Sequence, residues 1–505
     1  MNVLIIGKSG LLKTKCHEYL IDRYRVGGIS KSGAGKNNKK VDVTDKKAVD
    51  QFFKQYSFDV VIHAAGLTDV DYCEQHRDEA WESNVEATKN VVLKCKEEGA
   101  KLIYISSNQI YDGEEPPYSE QSEPKPVNYF GITKLEAERF IREELREFAI
   151  IRPGKLYGFS EETGCDTLVT SVRKQLSEGN PVTASQDTIY TPTLVDDVVA
   201  LIALIIGDDL EGRFNICGGE TVSEYQFVEA ICETYGLDSE KVHISQQESE
   251  ADLYANSNYT LKKINSLGIS PRKLRDGLSV MYKQEFCTFR PIYKMGLTDE
   301  FNGQSSSSIR HSLGAELAKS DPVTPDIVVP IPRSGVYPAV GYANEANIPM
   351  KFGISKHELR RQTLYDMTVD RSELLDEKMR VIPEVIADQN IVLVDEAILS
   401  GTTIKSIVSK LQAAESVHIR VSSPPITQEC PAGIHPTNIN LYADGLIDST
   451  SSTQDELERR MEANFGVDSV RFVDKSRYVE IVAGDTGICS ACFHETGRNE
   501  TPEKP

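Results

Sequence analysis

Short apolar runs recur through the first half of the chain: NVLIIG (Asn2 to Gly7), DVVIHAAG (Asp59 to Gly66), KLIYISS (Lys101 to Ser107) and FAIIRPG (Phe148 to Gly154). Each is rich in β-formers, and the first three lead into polar or amphipathic sequence. That rhythm predicts βαβ units and a parallel sheet covered by helices. The pattern breaks around Met281 to Asp299. A second series then begins: DIVVPIP, IPMKFGI, NIVLVDE and SVHIRVS. The reading is two α/β domains with a boundary near Glu285, spanning residues 1–285 and 286–493. The serine run Ser305 to Ser308 is predicted as a loop. Residues 494–505 are polar with two prolines and are predicted to be disordered. No internal repeat is visible.

Bulk properties narrow the picture. A length of 505 residues suits two or three domains. No apolar run approaches the roughly 20 residues of a membrane span. The opening MNVLIIG is too short for a signal sequence and runs into a glycine turn, so a cytoplasmic protein is expected. A net charge of −21 argues against a broad nucleic-acid surface, though not against a local phosphate pocket. The ten cysteines read as thiols or metal ligands rather than a disulfide framework.

LIIGKSGLL reads as strand, glycine turn and helix. Gly7 permits the turn, and Gly10 lets the backbone approach a pyrophosphate at the helix N-terminus. Lys13 stands where the pattern has a third glycine. DVTD (Asp42 to Asp45), VIHAAG, YISSNQIYDG, FGITKLEAE and NSLGISPRKLRDGL accompany the turn. Together they make residues 1–285 resemble the dTDP-4-dehydrorhamnose reductase family of extended short-chain dehydrogenases. The resemblance implies a Rossmann-type doubly wound parallel sheet. It also implies an NAD(P) site at Gly7, Ser9, Gly10, Leu11, Asp42, Val43, Ala64, Ala65 and Lys134. Lys31 or Lys36 would favour a 2′-phosphate.

The family's catalytic set is a Ser or Thr, a Tyr and a Lys. Ser107 and Lys134 match it, but Asn108 replaces the usual Asp and Phe130 the Tyr. Tyr129 is a poor substitute. Helical positions four apart lie within roughly 40° of one face, and positions five apart diverge by roughly 140°. Leu253-Tyr254 stands where the family has a sugar-binding Arg-Pro before Asn256-Ser257. This half is therefore expected to be a structural, ligand-binding or regulatory module. The alternative is altered NAD(P)-dependent chemistry on a sugar or nucleotide.

IVLVDEAILSGTT (Ile391 to Thr403) carries the sharper chemistry. An apolar strand ends in Asp395 and Glu396, and after a short loop Gly401, Thr402 and Thr403 open a helix. Amides and hydroxyls there suit a phosphate, and the acids suit ribose hydroxyls. That is the pattern of type I phosphoribosyltransferases, which bind PRPP. DIVVPIPRSGVYPAVGYANEANIP, VHIRVSSPPITQECPAGIHPT and ICSACF extend it. With them, residues from about Phe286 to Gly497 resemble the phosphoribosyltransferase half of glutamine amidophosphoribosyltransferase. The resemblance implies pyrophosphate binding by the loop Pro332 to Gly335, with Arg333 in place of an acid, Ser334 and Gly335 taking part, and Mg²⁺ bridging. It adds Lys356 and Ser400 to the PRPP site. The covering loop is rewritten as KHELRRQTLY, where Lys356 and Thr363 match and Arg360 and Arg361 are candidate phosphate contacts. The family's glutaminase does not precede this half; the reductase-like half stands there.

Cys489 and Cys492 form a CxxC, which alone fits a redox pair, half a zinc site or neither. Cys287 and Cys430 match two further family positions. The resemblance implies that these four ligate a [4Fe–4S] cluster; four thiolates also suit zinc. The other six cysteines, all before Glu285, are expected to be packing residues.

The function expected is transfer of phosphoribosyl from PRPP to ammonia or an amine, with loss of pyrophosphate. A separate donor protein for the amine and a homo-oligomer are expected. The alternatives are a bifunctional enzyme with a redox step and a non-catalytic NAD(P)- and PRPP-binding regulator.

Overall fold

The computed structural model describes residues 1–7, 10–21, 23–33, 38–160, 167–245, 258–319, 321–356, 379–430, 433, 441, 443, 446, 453–483 and 488–493. Ser9, Lys36, Leu253, Tyr254, Asn256, Ser257, Arg360, Arg361, Thr363 and the tail 494–505 lie outside the described residues. The chain divides into two compact units. The body of one is Met1–Tyr282, and the other begins at Lys283.

The first unit is built on seven strands: β1 (Asn2–Ile6), β2 (Arg25–Ser30), β3 (Asn38–Lys40), β4 (Val60–His63), β5 (Lys101–Ile105), β6 (Phe148–Pro153) and β7 (Gly212–Ile216). Their order is β7-β6-β5-β4-β1-β2-β3, and every pairing is parallel. The apolar runs are continuous because both faces are covered. Val3, Ile5, Ile62 and Ile103 point to one face, against Leu12 of α1 (Leu11–Leu20) and Ile202 of α2 (Val195–Gly207). Leu4, Ile6, Val61 and Leu102 point to the other, against Val91, Ala137 and Ile141. The last two lie on α3 (Tyr129–Glu144). The strand order reverses between β1 and β4, which opens a crevice at their carboxyl ends.

The second unit has four parallel strands in sequence order: β8 (Ile327–Pro330), β9 (Asn390–Asp395), β10 (Ser416–Val421) and β11 (Ser469–Phe472). Val328, Val392 and Val394 pack under Ile309 and Leu313 of α4 (Ser306–Lys319) and Ala339 of α5 (Val336–Ala346). Val329, Leu393 and Ile419 face Ile404 and Ile407 of α6 (Thr402–Val408) and Leu457. The overall class is α/β, a Rossmann-type doubly wound parallel sheet followed by a second, four-stranded parallel sheet packed on both faces.

The serine run is not a loop. Ser305 ends a two-residue strand, and Ser306 to Ser308 form the first turn of α4. Ser308 N donates to Ser305 Oγ at 3.2 Å. Serine at this position satisfies an amide the helix leaves unpaired, so the run starts a helix instead of interrupting one. Among the described residues no helix is long and apolar enough to cross a membrane.

Candidate functional site

Asp395 is the last residue of β9, and Glu396 follows it. Asp395 is 5% exposed. Its Oδ1 accepts from Ser334 Oγ at 3.1 Å and from Glu396 N at 2.9 Å. Burial first, and then the charge of Glu396, push the Asp395 carboxyl well above the usual carboxylate range. Glu396 Oε2 is buried without a hydrogen-bond partner among the described residues.

The loop after β8 lies directly on this strand end. Ile331 N donates to Val394 O at 2.9 Å, and Gly335 N to Ile331 O at 2.9 Å. A Cβ on Gly335 would stand 2.1 Å from Val394 O, so only glycine lets the loop come this close. The Pro332–Arg333 peptide is cis. Arg333 is exposed, and Ser334 reaches back to Asp395. Gly401 adopts φ +71° and opens α6. Ser400 Oγ and Thr402 Oγ1 are 2.9 Å apart, and Thr402 and Thr403 are exposed. Lys356 is exposed at the end of the strand Ile354–Lys356.

Sequence reasoning missed Arg310. It lies on α4 and is 9% exposed. Nε donates to Pro291 O at 2.9 Å and Nη2 to Met295 O at 2.8 Å. Burial lowers its pKa; Glu396 is the first of the groups that oppose this, ahead of Tyr337 and Tyr478. An arginine on an amphipathic helix looks like any solvated charge, so the sequence carries no signal for it.

In the first unit, Gly7 N donates to Ile29 O at 3.2 Å and Ala64 N to Ile6 O at 2.7 Å. Gly7, Gly10, Leu11, Ala64 and Ala65 therefore gather around the carboxyl ends of β1 and β4. Burial opposes the charge on Asp42, but Thr44 outweighs it through its hydroxyl and amide, and Lys31, 3.2 Å away, adds to the effect. The carboxyl is held below its ordinary value. Val43 is buried beside it.

Lys134 is 4% exposed. Nζ donates to Ile105 O at 2.8 Å and to Tyr104 OH at 3.2 Å. Burial brings its pKa down to about 8, against the fields of Glu138 and Cys73. Phe130 packs on Cys73 and Ala80. Tyr129 turns elsewhere, with Arg77 5.0 Å from its ring centre. Ser107 caps the short helix Asn108–Ile110 by accepting from Gln109 N at 3.2 Å. Asn84, also missed, lies in the π-helical stretch Glu82–Glu86. It bonds Leu67 N and O and donates to Thr133 Oγ1 at 3.0 Å, tying the crevice to the Lys134 helix. Hydrophobic periodicity does not reveal a π-turn.

Cys287, Cys430, Cys489 and Cys492 share one neighbourhood of the second unit. Cys287 and Cys489 pair through their backbones. Burial pushes the Cys287 thiol up, and Cys430, Cys492 and Cys489 each add to it. Burial also raises Cys489 and Cys492, and Cys430 adds to both. None of the four is in a disulfide. Among the described residues no three His, Cys, Asp or Glu side chains converge on a point where one metal ion would sit. Cys16, Cys73, Cys95, Cys217 and Cys232 are buried in the first unit; Cys165 lies outside the described residues.

The profile of the RmlD substrate binding domain matches residues 1–287, and that of the phosphoribosyl transferase domain residues 305–422. The chain is similar to methionine adenosyltransferase 2 subunit beta of Bos taurus, 31% identical over 245 residues, 47% of this chain and 73% of that one. It is similar to the amidophosphoribosyltransferase of Synechococcus elongatus, 31% identical over 214 residues. That match covers 42% of each chain, so less than half of that enzyme is represented. In fold, the first unit is similar to dTDP-4-dehydrorhamnose reductase of Bacillus anthracis, solved in complex with NADP. The TM-score is 0.51 at 24% identity, over 56% of this chain and 99% of that one.

Proposed function

Since the chain belongs to the RmlD substrate binding domain family and continues into a phosphoribosyl transferase domain, we propose that its chemistry lies in the second unit. That unit transfers the phosphoribosyl group of PRPP to ammonia or an amine. The reductase-like unit binds a ligand or regulates, without reducing a sugar. The observation that carries this is the bond from Ser334 Oγ to Asp395 Oδ1, which joins the loop suited to pyrophosphate to the acids suited to ribose.

In this reading Asp395 and Glu396 accept the 2′- and 3′-hydroxyls of the ribose. Thr402 and Thr403, with the amides after Gly401, hold the 5-phosphate. The amides of Arg333 and Ser334 hold the pyrophosphate, with Gly335 giving the loop its close approach, and the Arg333 charge, with Lys356, opposes its negative charge. The amine nitrogen bonds to ribosyl C1 as the bond from C1 to the pyrophosphate oxygen breaks, and the nitrogen gives up a proton to solvent. Mg²⁺ would ride on the substrate's own phosphates and neutralise the departing pyrophosphate.

The four cysteines fit a [4Fe–4S] cluster better than one zinc ion. Zinc needs all four sulfurs about 2.3 Å from one point. A four-iron cluster takes one thiolate per iron, so its ligands stand further apart. Buried thiols that oppose each other's ionisation suit a positive core that replaces their protons. Its role is structural, fastening Cys489 and Cys492 to the segment at Cys287.

A nicotinamide cofactor, when bound, supplies hydride chemistry. The residues Gly7, Gly10, Asp42, Val43, Ala64 and Lys134 would hold it, but Phe130 brings no hydroxyl to give the proton. Similarity to a protein named as an enzyme's beta subunit supports a regulatory role for this unit. Replacing Asp395 and Glu396 by Ala tests the assignment. Loss of all PRPP turnover is expected. Turnover that persists, or an unsubstituted protein that binds PRPP without turning it over, refutes it.

A further inference from the structure

We infer that Tyr104 is a positioning residue for a nicotinamide cofactor: its phenol, carried by β5 and not by the helix of Lys134, sets the lysine to meet the cofactor's ribose but lies too deep to give a proton to a substrate. The inference rests on the reading of the first unit as a ligand-binding module and names a residue that reading did not use.

An ammonium group has three N–H donors and no acceptor. Lys134 spends two of them inside the fold, on Ile105 O at 2.8 Å and on Tyr104 OH at 3.2 Å. Both acceptors belong to β5, and Ile105 is its last residue. The two bonds therefore fix Nζ at the carboxyl end of that strand. Tyr104 stands opposite His63 of β4 in the register. The carboxyl end of β4 borders the crevice where Gly7, Ala64 and Ala65 gather. Among the described residues Nζ has no third hydrogen-bond partner. A buried donor left unpaired is costly, and a ribose hydroxyl in the crevice would pair it.

Both sides of this contact are stiff. Next to Lys134 on α3, Thr133 Oγ1 accepts from Asn84 at 3.0 Å. One turn on, Glu138 is bound by Ser106 at 2.6 Å and by Arg152 Nε at 2.9 Å. Tyr104 is fully buried, with its ring centre 5.6 Å from that of His63. A lysine held in this way loses little freedom when a ligand arrives, so less of the binding energy goes into ordering it. The same burial limits the phenol, because a keto sugar cannot reach it. Phe130, four residues before Lys134, packs on Cys73 and Ala80 and has no hydroxyl. The site thus keeps an oriented lysine and has no accessible phenol at either position, which suits binding without reduction.

The alternative is that Tyr104 only satisfies a buried lysine and has no bearing on a ligand. Calorimetric titration of the full chain with NADH and with NADPH separates the two, with thermal unfolding run alongside. Tyr104→Phe keeps the ring and removes the hydroxyl. It is expected to weaken binding of whichever dinucleotide the unsubstituted chain takes by about tenfold. In a Lys134→Met background it is expected to change affinity little, because the group it positions is already gone. Affinity unchanged in Tyr104→Phe, whatever its thermal midpoint, or an effect that adds fully to that of Lys134→Met, overturns the inference alone. If Tyr104→Phe does not fold, Tyr104→His, which keeps a ring with a nitrogen able to accept, is measured with and without Lys134→Met. Coupling between the two supports the inference, and full additivity overturns it. An unsubstituted chain that binds neither dinucleotide at millimolar concentration overturns the cofactor reading and this inference together.

Discussion

Ser334 donates its hydroxyl to Asp395 across 3.1 Å, so a loop after one strand and an acid ending the next form a single surface. Both lie at the carboxyl ends of adjacent parallel strands, with Pro330 opposite Val394 in the register. Open α/β sheets place ligands at such ends. The close approach needs Gly335, whose missing Cβ leaves room for Val394 O.

Gly335→Ala should therefore push the loop off β9. The expected result is loss of PRPP binding by at least about tenfold and destabilisation of about 1–3 kcal/mol. Calorimetry and denaturant unfolding check the two parts. Ser334→Ala, which removes the bond and not the fit, should weaken binding with little change in stability.

The acid pair makes stability depend on pH. Asp395 has its carboxyl pushed up on folding, by burial first and by Glu396 second. The folded state thus holds a proton the unfolded state releases. No penalty exists below the ordinary Asp range, near pH 4, and it grows as pH rises above that range. Asp395→Asn should accordingly stabilise the ligand-free protein at about pH 7–8, by roughly 0.5–2 kcal/mol, and less near pH 4. Thermal unfolding at the two pH values measures it. A substitution that stabilises while abolishing PRPP turnover marks a site where function costs stability.

In the first unit, Arg152 and Glu138 form a buried ion pair, with Nε to Oε1 at 2.9 Å and Nη2 to Oε2 at 2.5 Å. Ser106 donates to the same carboxylate, and Arg152 reaches Tyr111 OH. Arg152→Met leaves Glu138 charged and buried, so a loss of about 3–5 kcal/mol is expected in denaturant unfolding. The change should leave pyrophosphate release from PRPP unaffected as long as the first unit is folded.

The cysteine assignment predicts a brown protein with about four irons per chain when prepared without air. Cys287→Ser should bleach it and lower its thermal midpoint, because the segment around Cys489 and Cys492 loses its fastening. Iron and zinc analysis checks the first claim. A colourless, iron-free preparation with the same midpoint contradicts it.

The reductase-like unit should bind NAD(P) without oxidising it on keto sugars, because Phe130 stands four residues before Lys134. Lys134→Met should weaken any such binding, and calorimetry with NADPH and NADH tests both statements.

The sheets were legible in the sequence because strands buried on both faces read as continuous apolar runs. The acid strand end and the glycine before α6 were legible because that chemistry sits on consecutive residues. Other features depend on contacts far apart in the chain. Arg310 looks like a surface charge until its carbonyl partners fold over it. Asn84 takes its place from a π-turn that no periodicity announces. Ser305 to Ser308 read as a loop by composition, although serine also caps helices, and the cap won here. Glu138 and Arg152 lie 14 residues apart, on a helix and on the strand that follows it, and only the fold makes them a pair.

The decisive test of phosphoribosyl transfer by the second unit is release of pyrophosphate from PRPP and Mg²⁺, measured on anaerobically prepared protein with and without ammonium at alkaline pH. Release that depends on ammonium and disappears when Asp395 and Glu396 are replaced is expected. No release with ammonium or with any amine tried would contradict it.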